Sequence, residues 1–454
     1  MHLQFLEIER EGDCRGAITY LVEQCPLNWR EWNIRHMKQY SQLLTALFAM
    51  AAFASPLPAQ EFNMLSLDEA LRLSRENQPG LSAFDRTARA FEEAAVAAEQ
   101  LPDFQLFGGV RNFPVTNGDA FSFNAERSTA RFVGIGRRQT PGARRRADSA
   151  RLLAEASAAE TEREVFLRQI EREVLIAWTA VIEAQEQQAV LQNLIDQREA
   201  RYFAAEANIP TGRSNAADAI SARAEIAAIR AQIADALGAE AAGRAALSRW
   251  IGEAASRPLS GHLPVCRLQN RQLARTSIES HPLIELAQRR NSVADRATDV
   301  ARGDRQPEWG WSVVYGNRAG GQSDLLGIEL SIDLPFNRGR LQNRRVAQAG
   351  ELAAASRARL EDRRRELLAL LEQAMALFDA AEARLRTTAE ETYPALRAAE
   401  QAQEARFEGG GGSLESVLIA SDRTTRIALD LVEQRANVAR ASADLFFYTD
   451  ECPS

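Results

Sequence analysis

Residues 143–203 contain neither proline nor glycine and are dense in Ala, Glu, Arg, Gln and Leu. Side chains of these types lose little rotamer freedom in a helix, so one unbroken helix is the low-cost conformation. A seam follows its middle: Leu167, Ile170, Val174, Ala177, Val181, Ala184, Gln188, Leu191 and Ile195. The steps alternate between three and four, the pattern of a helix packed lengthwise on neighbours. About 60 residues at 1.5 Å each make a rod of roughly 90 Å. No single globular domain needs such a rod, so something has to be spanned.

The 454-residue chain is 45% hydrophobic, 26% charged and 7% aromatic, a balance that with this periodicity points to long helices. A net charge of -7 and the lack of a basic face with interleaved aromatics argue against a nucleic-acid partner. From Met37, Lys38 precedes an apolar run of about a dozen residues and two small-residue cleavage sites, Ala52-Phe53-Ala54 and Leu57-Pro58-Ala59. Residues 37–59 therefore read as a secretory signal peptide, too short to span a membrane. Residues 1–36 have no role in front of it and read as a mis-assigned N-terminal extension. Export places Cys266 and Cys452 in an oxidising compartment, where they are free to pair or to stay apart. No cysteine follows the cleavage site, so an N-terminal lipid anchor is not expected.

In the mature chain, 67–101 reads as a helix with Ser66 as N-cap, Glu69 at the capping-box position and an interruption at Asn77-Gln78-Pro79. Two Gly- and Phe-bearing runs, 104–113 and 130–139, suit tilted strands of about ten residues. The long helix 143–203 breaks at 207–212, and a returning helix spans 215–251. After an irregular stretch, 253–276, the plan restarts with Ser280-His281-Pro282-Leu283, an echo of Gln78-Pro79-Gly80-Leu81. Strands are expected at 309–315 and 325–336, a long helix at 340–407, a break at Gly409–Gly412 and a last helix at 414–447. The chain divides into two repeats, 60–260 and 261–454, with hairpins at about 104–139 and 309–336, a duplication rather than a solenoid.

The cleanest strand is 325–336, where Leu326, Ile328, Leu330, Ile332 and Leu334 face one way and Gly327, Glu329, Ser331 and Asp333 the other. The polar face suits a water-filled lumen and the apolar face lipid, although a soluble hairpin with one wet face has the same alternation. Four strands cannot close a barrel, and an open edge in lipid leaves backbone groups unsatisfied at several kcal/mol each. Strands in a membrane must therefore be pooled from several copies. The narrow, Ala-rich helix seams ask for lateral neighbours in the same way.

Over essentially all of 61–450 the chain resembles the TolC-like outer-membrane efflux proteins. The resemblance is carried by the duplicated order, the two proline-bearing helix starts and the two breaks. The first break is Gly212-Arg213-Ser214-Asn215-Ala216-Ala217-Asp218, with Ala222-Arg223 following. The second runs from Arg406-Phe407-Glu408-Gly409 through Gly411 to Ser413, then Glu415, Ser416 and Val417-Leu418. Residues 139–145 and 334–340 resemble the branch that serves heavy-metal cation pumps, such as the cobalt–zinc–cadmium and copper–silver exporters. The resemblance implies a mainly α fold with a β-barrel part: a homotrimer whose twelve strands form one outer-membrane barrel and whose twelve helices form a periplasmic tunnel. A periplasmic adaptor and an inner-membrane pump of the RND type would dock on the tunnel tip, at Gly212, Arg213, Asp218, Arg223, Phe407, Gly409, Gly411, Ser413, Glu415 and Ser416. Where relatives carry constriction aspartates this chain has Ser416 and Ile419, and Gly412 stands where an arginine can link neighbouring helices. In the family, the link between the two halves and the C-terminus both lie at the tunnel's equator, which implies a Cys266–Cys452 disulfide.

Catalytic chemistry is not expected. Of four histidines, His2 and His36 lie in the extension, while His262 and His281 sit in connector and cap contexts. No cluster with metal-ligand spacing and no nucleophile–base signature is visible. Gly409–Gly412 lacks a following Lys-Ser/Thr, so it reads as a flexible turn rather than a phosphate loop. Arg144-Arg145-Arg146 reads as a solvated helix start beside lipid headgroups, and Asp218 as either an adaptor contact or a cap. The expected function is a passive, cofactor-free exit duct for heavy-metal cations across the cell outer membrane. Alternatives are a duct for drugs or for type I protein secretion, and a periplasmic coiled-coil scaffold.

Overall fold

The computed structural model describes residues 64–76, 78–210, 216–268 and 270–449. The extension 1–36, the signal peptide 37–59, Gly212, Arg213 and Cys452 lie outside them, as does the side chain of Asp218. Helices α1 (Leu67–Glu76) and α2 (Pro79–Glu99) lead into strands β1 (Gln105–Arg111) and β2 (Ala130–Gln139), followed by α3 (Gly142–Asn208) and α4 (Ala216–Ile251). A short helix, α5 (Arg271–Ser277), precedes the second series: α6 (Pro282–Gly303), β3 (Glu308–Arg318), β4 (Leu325–Asp333), α7 (Gln342–Thr387), a π-helical turn (Thr388–Thr392), α8 (Tyr393–Glu408) and α9 (Leu414–Thr449). No described helix is long and apolar enough to cross a membrane.

Helix α3 has 67 residues, roughly 100 Å, and outruns the expected 143–203 because its first breaker is Pro210. Its seam is the core. Ile170, Val174, Ala177, Val181, Ala184, Leu191 and Ile195 are buried, and the Gln188 amide donates to Glu240 Oε2 at 2.9 Å. Trp178, one residue off the seam, is fully buried among Leu65, Leu81, Leu247, Trp250 and Leu259. A second cluster holds Leu367, Leu371, Met375 and Phe378 of α7 against Ile284, Val438 and Leu445. Arginine–carboxylate pairs tie the helices sideways, among them Arg163–Asp85 at 3.0 Å, Arg290–Glu162 at 2.7 Å and Arg384–Asp430 at 3.1 Å. Each is at least partly exposed and contributes at most about 1 kcal/mol. Between α3 and α9, Arg440 pairs with Glu183, whose carboxyl burial nevertheless pushes above its ordinary value.

The second long helix is not continuous, contrary to the expected 340–407. Together α7, the π turn and α8 cover the same length of chain as α3. Pro394 has no N–H to return to the preceding turn and its ring crowds it, and the chain absorbs this by widening at Thr388–Thr392. The stretch expected to be irregular, 253–276, contains a 3-10 turn (Gly252–Ser256) and α5, which starts where Asn270 Oδ1 accepts from Gln272 N and Leu273 N. Ser66 caps α1 through Glu69 N at 3.2 Å, but the Glu69 carboxylate reaches Arg257 at 2.9 Å rather than closing a capping box. His281 is a cap as expected: its Nδ1 accepts from Leu283 N at 3.1 Å, and its Nε2 lies 2.9 Å from Phe447 O.

The strands form one antiparallel sheet in the order β1-β2-β3-β4, leaving β1 and β4 as edges. The strand expected at 309–315 extends over Glu308–Arg318, and β4 stops at Asp333, two residues before Pro335.

Candidate functional site: a two-faced sheet and a capped tip

The register sorts the side chains of the sheet by face. One face carries Leu106, Ile135, Val313 and Ile328 in a single row, Val133, Tyr315 and Leu326 in the row above, and Arg137, Trp311 and Leu330 below. Leu326, Ile328 and Leu330 are 73%, 79% and 63% exposed. Aromatic side chains mark the helix end of this face, where Phe104 packs edge-on to Trp311 and Arg137 lies 4.6 Å over Phe104 while donating to Pro102 O at 2.8 Å. Tyr315 marks the loop end and hydrogen-bonds Asp324. An apolar band bounded by such rings is the pattern of a lipid-facing wall.

The other face is polar in its helix-side half, whereas Phe107, Phe132, Val314 and Leu325 occupy two rows nearer the loops. At its helix end Arg138 pairs with Asp333 at 3.6 Å and Thr140 Oγ1 donates to Glu308 at 2.7 Å. A shallow trough of about 400 Å³ lies over Gly136 and Gly310, lined by Gln105, Arg138, Ser312, Glu329 and Ser331. Glu329, Ser331 and Asp333 thus share one face with the polar residues of the other three strands, an alignment that β4 alone could not reveal.

At the far end of the helices, α8 closes in a hydrogen-bonded cap rather than the expected flexible turn. Gly410 N bonds Phe407 O at 3.0 Å and Gly411 N bonds Arg406 O at 2.9 Å, the paired arrangement that ends many helices in a left-handed residue. That residue is Gly410, with φ at 75°. Gly409 precedes it and Gly411 follows, so neither of the two glycines expected at this second break is the one whose backbone demands glycine. Phe407 is 42% exposed beside them. Ser413 caps α9, with its Oγ accepting from Ser416 N at 3.2 Å and lying 2.7 Å from Ser416 Oγ. Ser416 is therefore engaged in the cap, while Glu415 is exposed. Arg223, on α4, is exposed as well, and Asp422 pairs with Arg426 at 2.7 Å along its own helix.

Cys266 is buried against Leu175, Ala443 and Phe446 and is disulfide-bonded. The chain's other cysteines, Cys14, Cys25 and Cys452, lie outside the described residues. Among the described residues, no group of three or more His, Cys, Asp or Glu side chains could hold a metal ion.

Solved outer-membrane channels share this arrangement of long paired helices carrying a small antiparallel sheet. A membrane protein from Pseudomonas aeruginosa superposes with a TM-score of 0.70 at 16% identity, over 84% of this chain and 93% of that one. The outer membrane protein VceC from Vibrio cholerae gives 0.66 at 17% identity, over 84% and 95%. The open-state MtrE outer membrane channel of Neisseria gonorrhoeae gives 0.67 at 16% identity, over 84% and 88%. At these identities the likeness establishes the fold. No family model matches the sequence, and no curated protein does.

Proposed function

We propose that this chain is the protomer of a homotrimeric exit duct in the cell outer membrane, passively conducting substrate from an inner-membrane pump and periplasmic adaptor to the exterior. The observation that carries the reading is the sheet: one exposed apolar face, one polar face and two unpaired edges, borne on helices of roughly 100 Å. Three copies would pool their strands, satisfy the edges and turn the polar faces onto a common lumen. Adaptor and pump would engage the tip, around Gly212, Arg213, Asp218, Arg223, Phe407 and the Gly409–Ser416 cap. Heavy-metal cations delivered by an RND-type pump are the substrate favoured by residues 139–145 and 334–340. Cell fractionation tests the duct: a heat-sensitive trimer in the outer membrane is expected, and recovery as a soluble periplasmic protein would refute it. Metal sensitivity of a deletion strain, restored by the gene, tests the substrate.

The partner of Cys266 in this reading is Cys452. Helix α9 brings Ala443 and Phe446 against Cys266, Ser442 Oγ donates to Pro264 O at 3.0 Å, and Cys452 follows the helix end at Thr449 by three residues. A tryptic peptide joining the two in unreduced mature protein is expected, and free thiol at Cys452 would refute the pairing.

A further inference from the structure

The polar face of the sheet is electrically lopsided. In its outermost row, at the loop end, Arg111 of β1 and Arg318 of β3 flank Ala130 of β2. The Arg111 guanidinium lies 4.6 Å over the Phe132 ring, and Arg318 Nε donates to Ser323 O at 2.9 Å. Neither forms an ion pair among the described residues. Asp324 is hydrogen-bonded by Tyr315 and Asn317, whose side chains belong to the opposite face, and its carboxylate feels the Arg318 charge, so it offsets part of Arg318 and none of Arg111. The next two rows are uncharged: Gly109, Phe132, Gly316 and Leu325, then Phe107, Gly134, Val314 and Gly327. Glu329 stands in the fourth row, with the Arg138–Asp333 pair and Glu308 closer still to the helices. Three rows of two residues, at about 3.3 Å each along strands tilted by roughly 40°, separate the arginines from Glu329 by about 15 Å along the axis. The Debye length at physiological salt is about 8 Å, so the acidic end does not neutralise the basic one.

We propose that Arg111 and Arg318 form an anion-attracting ring at the outer mouth of the duct, one that concentrates anionic solutes such as carboxylates and phosphates and repels free cations. The inference rests on the exit-duct reading, which turns this face onto a shared lumen. Twelve strands about 4.8 Å apart and tilted by roughly 40° close at a backbone radius of about 12 Å. Extended arginines from three copies then bring six guanidiniums within about one Debye length, ~8 Å, of the axis. A potential of about one kT there enriches a monovalent anion roughly threefold and depletes a monovalent cation equally. Flux set by a pump is not reduced by such a passive barrier, but the return of external cations through an idle duct is slowed.

The test is conductance of the purified trimer in planar bilayers under a potassium chloride gradient. The chloride-to-potassium permeability ratio is expected to fall by about sevenfold in Arg111→Gln/Arg318→Gln, the product of the two Boltzmann factors. Inorganic tripolyphosphate added at the loop side is expected to block wild-type current. This second measurement needs no variant and stands even if the double substitution fails to assemble. An unchanged ratio in an intact trimer, or block by hexaamminecobalt(III) instead of tripolyphosphate, overturns the ring alone. Purified wild-type protein that forms no channel overturns the exit-duct reading and the ring with it.

Discussion

Ile328→Arg and Glu329→Arg put the same charge on adjacent residues of β4, one on each face of the sheet. Ile328 sits in the middle of the apolar band, in a row with Leu106, Ile135 and Val313, and is 79% exposed in the single chain. If that surface faced water, the arginine would change stability by no more than about 0.5 kcal/mol, as exposed substitutions usually do. If it faces hydrocarbon near the bilayer midplane, each copy costs about 2–4 kcal/mol, so three copies cost roughly 6–12 kcal/mol. At about 1.4 kcal/mol per factor of ten, even the lower figure shifts assembly more than ten-thousand-fold. Glu329 shares its row with Gln105 and Ser312 on the polar face, where an arginine meets water. The assay is the heat-sensitive trimer band in outer-membrane fractions at matched expression. Loss of the band in Ile328→Arg, with Glu329→Arg at wild-type level, is expected. Equal assembly of both variants, or equal loss, would refute the assignment of faces.

Other expectations follow from single contacts. Gly410→Ala forces a Cβ onto a left-handed residue at about 1–2 kcal/mol, whereas Gly411→Ala does not; amide exchange across 406–416 should quicken only in the former. Trp178→Ala should cost about 3–5 kcal/mol. Trp178→Phe should cost clearly less, because it also removes a buried indole N–H that has no acceptor among the described residues; trimer melting that shifts equally in both would contradict this. Burial holds the Glu183 carboxyl above its ordinary value, so its ionisation opposes folding at neutral pH. Stability should then rise as pH falls from that raised value towards about 4.3, and Glu183→Gln should lose this rise. Glu69 and Glu372, lowered by Arg257 and Arg275, act only below that window, where their protonation removes stability. Parallel pH profiles for wild type and variant would count against the account.

Much of the fold could be read from residue spacing, because spacing is where helix and strand periods are written. The buried seam from Ile170 to Ile195, the alternation of β4 and the His281 cap are all local patterns. What escaped is what depends on partners far away in the chain. Trp178 lies beside the seam and is central only because α1 and α4 fold over it. The two faces of the sheet emerge from the register of four strands, and no single strand displays the row that unites Arg111 with Arg318. Ser416 looked like a missing acid, yet its hydroxyl completes a cap with Ser413. Pro394 lies inside the stretch expected as one long helix, 340–407, and the turn that absorbs it precedes it in the chain. At the tip, the family resemblance pointed to Gly409 and Gly411, whereas the left-handed demand falls on Gly410.

The π turn at Thr388–Thr392 alters the phase of everything beyond it. One extra residue in a helical turn rotates all later side chains by about 100° relative to an unbroken α-helix. Leu367, Leu371, Ala374, Met375 and Phe378 keep one face towards the core, and Thr388 is buried at the turn itself, but α8 has no buried residue. Counting in sevens from α7 would therefore assign the wrong residues to a given face of α8. Helix α3 has no such slip, so the same count from the sheet reaches different faces on the two long helical runs.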